Sequence, residues 1–411
     1  MRRGGFEHRG DHPLHPDVNL MDGEFYAREP HDVWTWMREN APVYHDPHTD
    51  VWAVARYDDL VACEKNAEVF SNAQNIRPRM TGTPMMISMD DPEHALRRKL
   101  VGKGFTPPRV RAQENRLREI CDQLLDAVCE RGECDFVWDV AAHLPLIVIA
   151  DMLGFPPEDR PQLLEWSDQM LKGTTSTDTD ALMEAAEAME GFWAHQTDVI
   201  EQRRVCPADD LTSVLVHAEV DGLSLDLDSL VWESLLVLIG GDETTRHVIS
   251  GGLVELCQHP DQKADLIADP SLTKSAVEEM LRWVSPVKNM NRRVTRDTDV
   301  RGQHLREGDD VLMLYPSANR DEDVFEDPFT FDIRRHPNLH VAFGFGPHFC
   351  MGSALARLEL RVLFEHLMAR MPDIDLAIAY DDLPRRPSSF VSGFESVPVT
   401  FTPSAPVGAS A

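Results

Sequence analysis

Cys350 closes a glycine-punctuated loop within HVAFGFGPHFCMGSALARLELR, residues 340–361, and an apolar helical period (Ala354, Leu355, Leu358, Val362) begins directly behind it. Gly344, Gly346 and Gly352 carry no Cβ, so the backbone there turns tightly and approaches a flat partner closely. A thiolate at a helix start is stabilised by unpaired amides and by the helix dipole, which lowers its pKa. Such a sulfur suits an iron ligand, a nucleophile or a redox sensor. A buried structural cysteine is the competing reading.

A second stretch, LLVLIGGDETTRHVISGG, interrupts a helical signal that runs from about 228 to 258 with Asp228 as its cap. Gly240 and Gly241 each cost about 1 kcal/mol against alanine inside a helix, so a helix that keeps them has something approaching its backbone. Glu243 beside Thr244 places a charged acid at the same point, a second local violation of the kind that concentrates at functional sites. The alternative is a kinked core helix whose threonines bond back to its carbonyls. His94 and Arg98, four apart in the helix after Pro92, leave one face together. Glu279 and Arg282 have the i, i+3 spacing that is ordinarily a surface ion pair.

The elements that must position these groups are mainly α-helical. Amphipathic helices broken at Gly132, Gly154–Pro157 and Pro207 occupy 108–227, while Asp50–Arg56 reads as a strand of a small sheet near the N-terminus. Residues 1–30 read as an irregular surface arm, 71–88 as a long loop of the kind that forms lids or binding segments, and 404–411 as a frayed tail. With no Gly/Ser linker, internal repeat or low-complexity run, residues 1–411 are expected to form one domain.

Composition narrows the function classes. Hydrophobic residues make up 42% of the 411, enough for a large core, and 40 basic against 70 acidic residues give a formal charge of −30. That charge argues against general nucleic-acid or anionic-membrane binding. No apolar stretch is long enough to span a bilayer, and seven cysteines without paired or metal-like spacing suit a reducing cytosol, so a cytoplasmic protein is expected. Against the acidic background, Arg97–Arg118 is basic (Arg97, Arg98, Lys99, Lys103, Arg109, Arg111, Arg116 and Arg118 against Glu114), either as ordinary helix-surface charge or as a patch that steers a negatively charged partner.

The run Phe343-Gly-Phe-Gly346-Pro-His348-Phe-Cys350-Met-Gly352 resembles the haem-binding loop of the cytochrome P450 monooxygenases. The resemblance implies that family's fold, a helical domain with a small β-rich region. It makes Cys350 the proximal thiolate ligand of a haem b iron, favouring cleavage of the O–O bond. Phe343 would pack beside the sulfur, Gly346 and Gly352 would shape the loop, and His348, His94, Arg98 and Arg292 would reach the haem propionates. Gly240 and Gly241 would open a groove for dioxygen, with Glu243 as the acid and Thr244 as the alcohol of the proton relay. Glu279 and Arg282 would form a buried structural network with Arg335. Ile76, Met85, Met86, Val237, Gly240, Gly241, Val287, Met290, Phe390 and Val391 would line the substrate pocket.

MMISMDDPEHALRRKLV, EEMLRWVSPVKNMNRRV and PSSFVSGFESVPVTFTPS, with the glycine-interrupted helix, resemble the actinobacterial branch that oxidises cholesterol and cholest-4-en-3-one at a terminal methyl of the side chain. This implies hydroxylation of that methyl and onward oxidation to the carboxylic acid. Dioxygen would be consumed, with electrons from NAD(P)H through a ferredoxin reductase and an acidic ferredoxin docked on the basic patch. Two other readings remain open: a hydroxylase of another apolar molecule, such as a fatty acid or secondary metabolite, and a haem-binding sensor or carrier without turnover. The Glu243–Thr244 pair argues against the carrier.

Overall fold

From Glu243 to Leu256 every residue except Thr244 is buried, and a helix buried on all sides belongs in the core. In the computed structural model, which describes residues 6–73, 76–80, 82–176 and 178–409, this Glu243–Gln258 helix packs against the His143–Leu153, Thr273–Val284 and Ser353–Arg370 helices. Val248, Ile249 and Leu253 meet Met280, Leu281, Leu360 and Phe364 in one apolar core. A second core gathers Ile149, Phe192, Leu235 and Leu238 around the preceding Leu227–Gly241 helix.

A five-stranded sheet flanks the helices in the order Val43–Asp46, Val51–Val54, Asp310–Leu314, Asn289–Val294, Phe70–Ser71. Its pairs are antiparallel except Val51–Val54 with Asp310–Leu314, where Trp52 faces Val311 in parallel register. Alternation along Asn289–Val294 sends Met290 and Arg292 to one face.

Four local expectations are corrected. The 228–258 helix is two helices meeting at Asp242 (φ −77°, ψ −73°). Its cap is Asp226, whose carboxylate accepts from the Ser229 amide at 2.8 Å, and not Asp228. The N-terminal arm ends in a short helix, Gly23–Ala27, because Phe25 and Tyr26 have apolar surface to bury. Of the tail expected to fray, Val407–Ala409 forms a turn whose Val407 and Gly408 amides donate to the Asp126 carboxylate at 2.9 and 3.0 Å; residues 410–411 lie outside the described residues. In the 71–88 loop, Gln74, Asn75 and Thr81 also lie outside them.

Glu279 and Arg282 are fully buried, joined by two 2.7 Å hydrogen bonds from Nε and Nη2 to the two carboxylate oxygens. Arg335 Nε adds a third at 3.2 Å, and Arg282 Nη1 donates to the Asn319 and Pro328 carbonyls, both at 2.9 Å. Buried ions persist only when paired and fully bonded in this way. The cluster ties the Thr273–Val284 helix to the irregular chain that leads into the Cys350 loop.

Candidate active site

The Cys350 amide donates to the Phe343 carbonyl at 2.9 Å, closing the glycine loop on itself before the Ser353–Arg370 helix begins. Gly344 and Gly346 have φ of +69° and +70°, the left-handed region that glycine enters freely. Burial pushes the Cys350 thiol up, against the Gly352 and Ser353 N–H groups and the Arg98 and Arg357 charges that pull it down. The expectation of a lowered pKa is therefore corrected for the free thiol, since loss of water outweighs the helix start. A bound cation would hold it as thiolate.

A cavity of about 280 Å³ opens at Cys350. The structure brings to its wall His94, Arg98, Arg292, Phe343, His348 and Gly352 of the residues expected to hold a cofactor. Of the expected substrate residues it brings Ile76, Met86, Val237, Gly240, Gly241, Val287, Met290, Phe390 and Val391, together with Thr244. The two glycines differ: a Cβ on Gly240 would meet nothing within 4 Å, whereas one on Gly241 would lie 2.6 Å from Ile149 Cδ1, so Gly241 serves helix packing.

Three expected residues lie off this wall. Gly346 packs on the Tyr57–Lys65 helix, where a Cβ would lie 2.5 Å from the Glu64 carbonyl oxygen. Met85 is buried in the second apolar core, because the turn Met86–Ser88 that follows it carries Met86 and Ile87 to the cavity instead. Glu243 turns away to a buried cluster of charges. It accepts from Arg246 Nη2 at 2.6 Å and from Arg386 Nη1, and His247 Nε2 is 3.5 Å away. Despite burial, those partners hold its carboxylate down at about 2. Arg386 also reaches Asp168 at 3.0 Å. Thr244 faces the cavity and its hydroxyl donates to the Gly240 carbonyl at 2.8 Å.

Sequence reasoning passed over several cavity residues. Glu64 is buried and accepts from Arg292 Nη2 at 2.6 Å and from the Tyr315 hydroxyl at 2.7 Å, while its Oε2 has no hydrogen-bond partner. Asn72 presents a buried, unbonded Oδ1. Glu359, nine positions after Cys350, is 2% exposed with Oε2 unbonded, and burial together with the Asp242 charge pushes it up to about 8. Asp242 itself accepts from Ser167 Oγ at 2.9 Å and is pushed up to about 6, again chiefly by burial. The one signal in the sequence was an acid at a helical position otherwise occupied by core residues.

The basic run 97–118 is largely neutralised. Arg97 pairs with Glu233, Lys99 with Asp221, Arg109 with Asp209, Arg116 with Asp151, and Arg118 with Glu114 and Glu365. Its bare charge is lower than the sequence suggests.

A buried thiol backed by amides, open space at Gly240 and Gly352, guanidinium and imidazole groups for anionic edges and an apolar remainder together fit a haem. The arrangement defines a haem-thiolate enzyme. Residues 157–371 match the family described as Cytochrome P450, and the chain belongs to that family of haem monooxygenases, which draw electrons from a redox partner. It is 51% identical over 396 residues to a steroid C26-monooxygenase of Mycolicibacterium smegmatis, covering 95% of this chain and 98% of that one. Identity to a methyl-branched lipid omega-hydroxylase of Mycobacterium tuberculosis is 36% over 414 residues, covering 94% and 95%. A Bacillus megaterium P450 solved in complex with corticosterone superposes with a TM-score of 0.85 at 34% identity, covering 92% of this chain and 99% of that one.

Proposed function

We propose that this monooxygenase hydroxylates a terminal methyl of the cholesterol or cholest-4-en-3-one side chain and carries it on to the carboxylic acid. The observation that supports this most is the 51% identity, over nearly the whole chain, to relatives named steroid C26-monooxygenase. The cavity agrees: Met, Val, Ile and Phe side chains converge on it, a lining suited to a rigid hydrocarbon.

In this reading His94, Arg98, Arg292 and His348 hold the haem carboxylates through charge-assisted hydrogen bonds, and Cys350 is the iron ligand. The haem, once bound, supplies activation of dioxygen. Val237, Val287, Met290, Phe390 and Val391 hold the apolar side chain and exclude water. Gly240 leaves space beside the Thr244 hydroxyl. That hydroxyl donates to the Gly240 carbonyl and keeps its lone pairs for a hydrogen bond from water or a ligand, while Glu243 faces away to Arg246 and Arg386. Electrons from NAD(P)H arrive through a ferredoxin reductase and a ferredoxin, and the protein works in the cytoplasm as a single P450 domain. No helix among the described residues is long and apolar enough to cross a membrane.

Absorption titration of the ferric protein with cholest-4-en-3-one tests the substrate. A Soret shift to high spin at low steroid concentration, absent with palmitate, is the expected result. No shift, in a sample whose reduced carbonyl complex still has the thiolate signature, overturns the steroid reading and leaves the haem.

A further inference from the structure

Along one face of the Glu243–Gln258 helix and its cap, every fourth residue forms the series Glu243, His247, Gly251, Glu255, His259. Four are titratable and the middle one has no side chain. Beside Gly251 lies a separate cavity of about 20 Å³, lined by His247, Gly251, Glu255 and Lys288 among others, room for about one water. A Cβ on Gly251 would lie 2.7 Å from Val284 Cγ2, and one on Gly393, which also lines the cavity, 2.4 Å from His247 Nδ1.

The inner end reaches the Glu243 charge cluster, one residue before Thr244 on the same helix. His247 Nε2 is 3.5 Å from Glu243 Oε1, and Glu243 precedes Thr244. His247 is 2% exposed and neither ring nitrogen has a hydrogen-bond partner among the described residues, a rare state for a buried imidazole. The outer end reaches solvent: the His259 side chain is 33% exposed, its Nδ1 bonds the Glu255 carbonyl oxygen at 2.9 Å and lies 3.8 Å from Glu255 Oε2.

We propose that this row is a proton-entry path, in which protons pass from His259 to Glu255, through a water beside Gly251, to His247 and so to Glu243 behind Thr244. Oxygen insertion by a monooxygenase consumes two protons and two electrons for each dioxygen, one oxygen leaving as water; the path supplies protons only. A neutral imidazole passes a proton by accepting on one nitrogen as it releases from the other, so each transfer leaves its charge unchanged.

The surrounding charges leave Glu243 ionised between Arg246 and Arg386 and keep the His247 ring neutral. His247 faces Glu243, Arg246 and Arg386, and burial with the two guanidiniums holds it down at about 4. Glu255 faces Glu29, His259, Trp283 and Arg320, and burial pushes it up to about 7, where it exchanges protons near neutrality. Across the cavity, Lys288 spends two of its three donors on the Val284 and Ser285 carbonyls at 3.1 and 3.2 Å, Arg385 pairs with Glu29 at 2.8 Å, and Tyr380 completes that wall.

The test uses the haem-loaded protein. With reductase and ferredoxin, His247→Phe and the isosteric Glu255→Gln should each lower product per dioxygen consumed about tenfold and enlarge the solvent isotope effect. Peroxide-driven turnover, which brings its own protons, should stay within twofold for Glu255→Gln, and Glu255→Asp should restore the loss. Equal losses in both modes, or no loss in either, overturn the path. A crystal structure of the loaded protein decides it independently of substrate: an ordered water bonded to His247 and Glu255 is expected, and a dry cavity overturns the path. A protein that oxidises no sterol in either mode fails the substrate reading, and the crystallographic water still decides this one.

Discussion

The His94 ring stacks on the His348 ring, centroids 4.0 Å apart and planes 27° from parallel, joining the Glu93–Val101 helix to the loop that carries Cys350. Burial first, then the charges of His94, Arg292 and Arg98, hold His348 down at about 3, so its ring is neutral near pH 7. The charged donors for an anionic haem edge are therefore Arg98 and Arg292, with His348 as a neutral partner. His94→Phe keeps the stack and removes a donor, while Arg98→Ala removes a charge. Each should speed haem loss to a scavenging apoprotein about tenfold, in line with the 1.5–3 kcal/mol of a hydrogen bond to a charged group.

Glu359 sets a pH dependence of stability. Its folded value of about 8 lies above the ordinary 4.5, so the folded state holds the proton longer. Its contribution is whole below 4.5 and lost as pH rises through 8. Urea unfolding should lose about 2 kcal/mol between about pH 6 and pH 8 from this group, and Glu359→Gln should flatten that slope.

Thr244 and Gly240 separate chemistry from fold. Thr244→Ala should leave reductase-driven oxygen uptake in place and cut product per oxygen tenfold or more, the difference recovered as hydrogen peroxide. Gly240→Ala meets open space, so it should raise helix stability by about 1 kcal/mol in thermal unfolding while crowding the cavity and weakening ligand binding.

Arg282 has no substitute. Arg282→Ala leaves Glu279 buried with one fewer partner and should cost about 3–5 kcal/mol, read as a lower thermal midpoint and poor recovery of folded protein. Arg282→Lys should fare little better, because an ammonium cannot make the paired bonds to both carboxylate oxygens.

What could be read from the sequence was local. The Cys350 loop, the His94–Arg98 pair and the Gly240–Thr245 interruption each sit within a few residues, and the folded chain brings most of their members to one cavity. What escaped depends on distant elements meeting. Glu64 faces Arg292 across 228 positions, and Arg386 reaches Glu243 across 143. The direction in which Glu243 points was likewise set by a guanidinium from the C-terminal segment, which no helical period encodes. Met85 and Met86 are chemically identical and share the second core, and the turn at Met86–Ser88 brings only Met86 to the cavity as well.

The parallel pairing of Val51–Val54 with Asp310–Leu314 governs how the chain is made. Trp52 meets Val311 259 positions later, so at about 5–20 residues per second a ribosome leaves that apolar strand edge open for about 13–50 s. For that interval the nascent chain offers a sticky template to its neighbours on the polysome. Cooler growth, slower initiation and ample chaperone supply should therefore raise the yield of native protein more than any change near the haem.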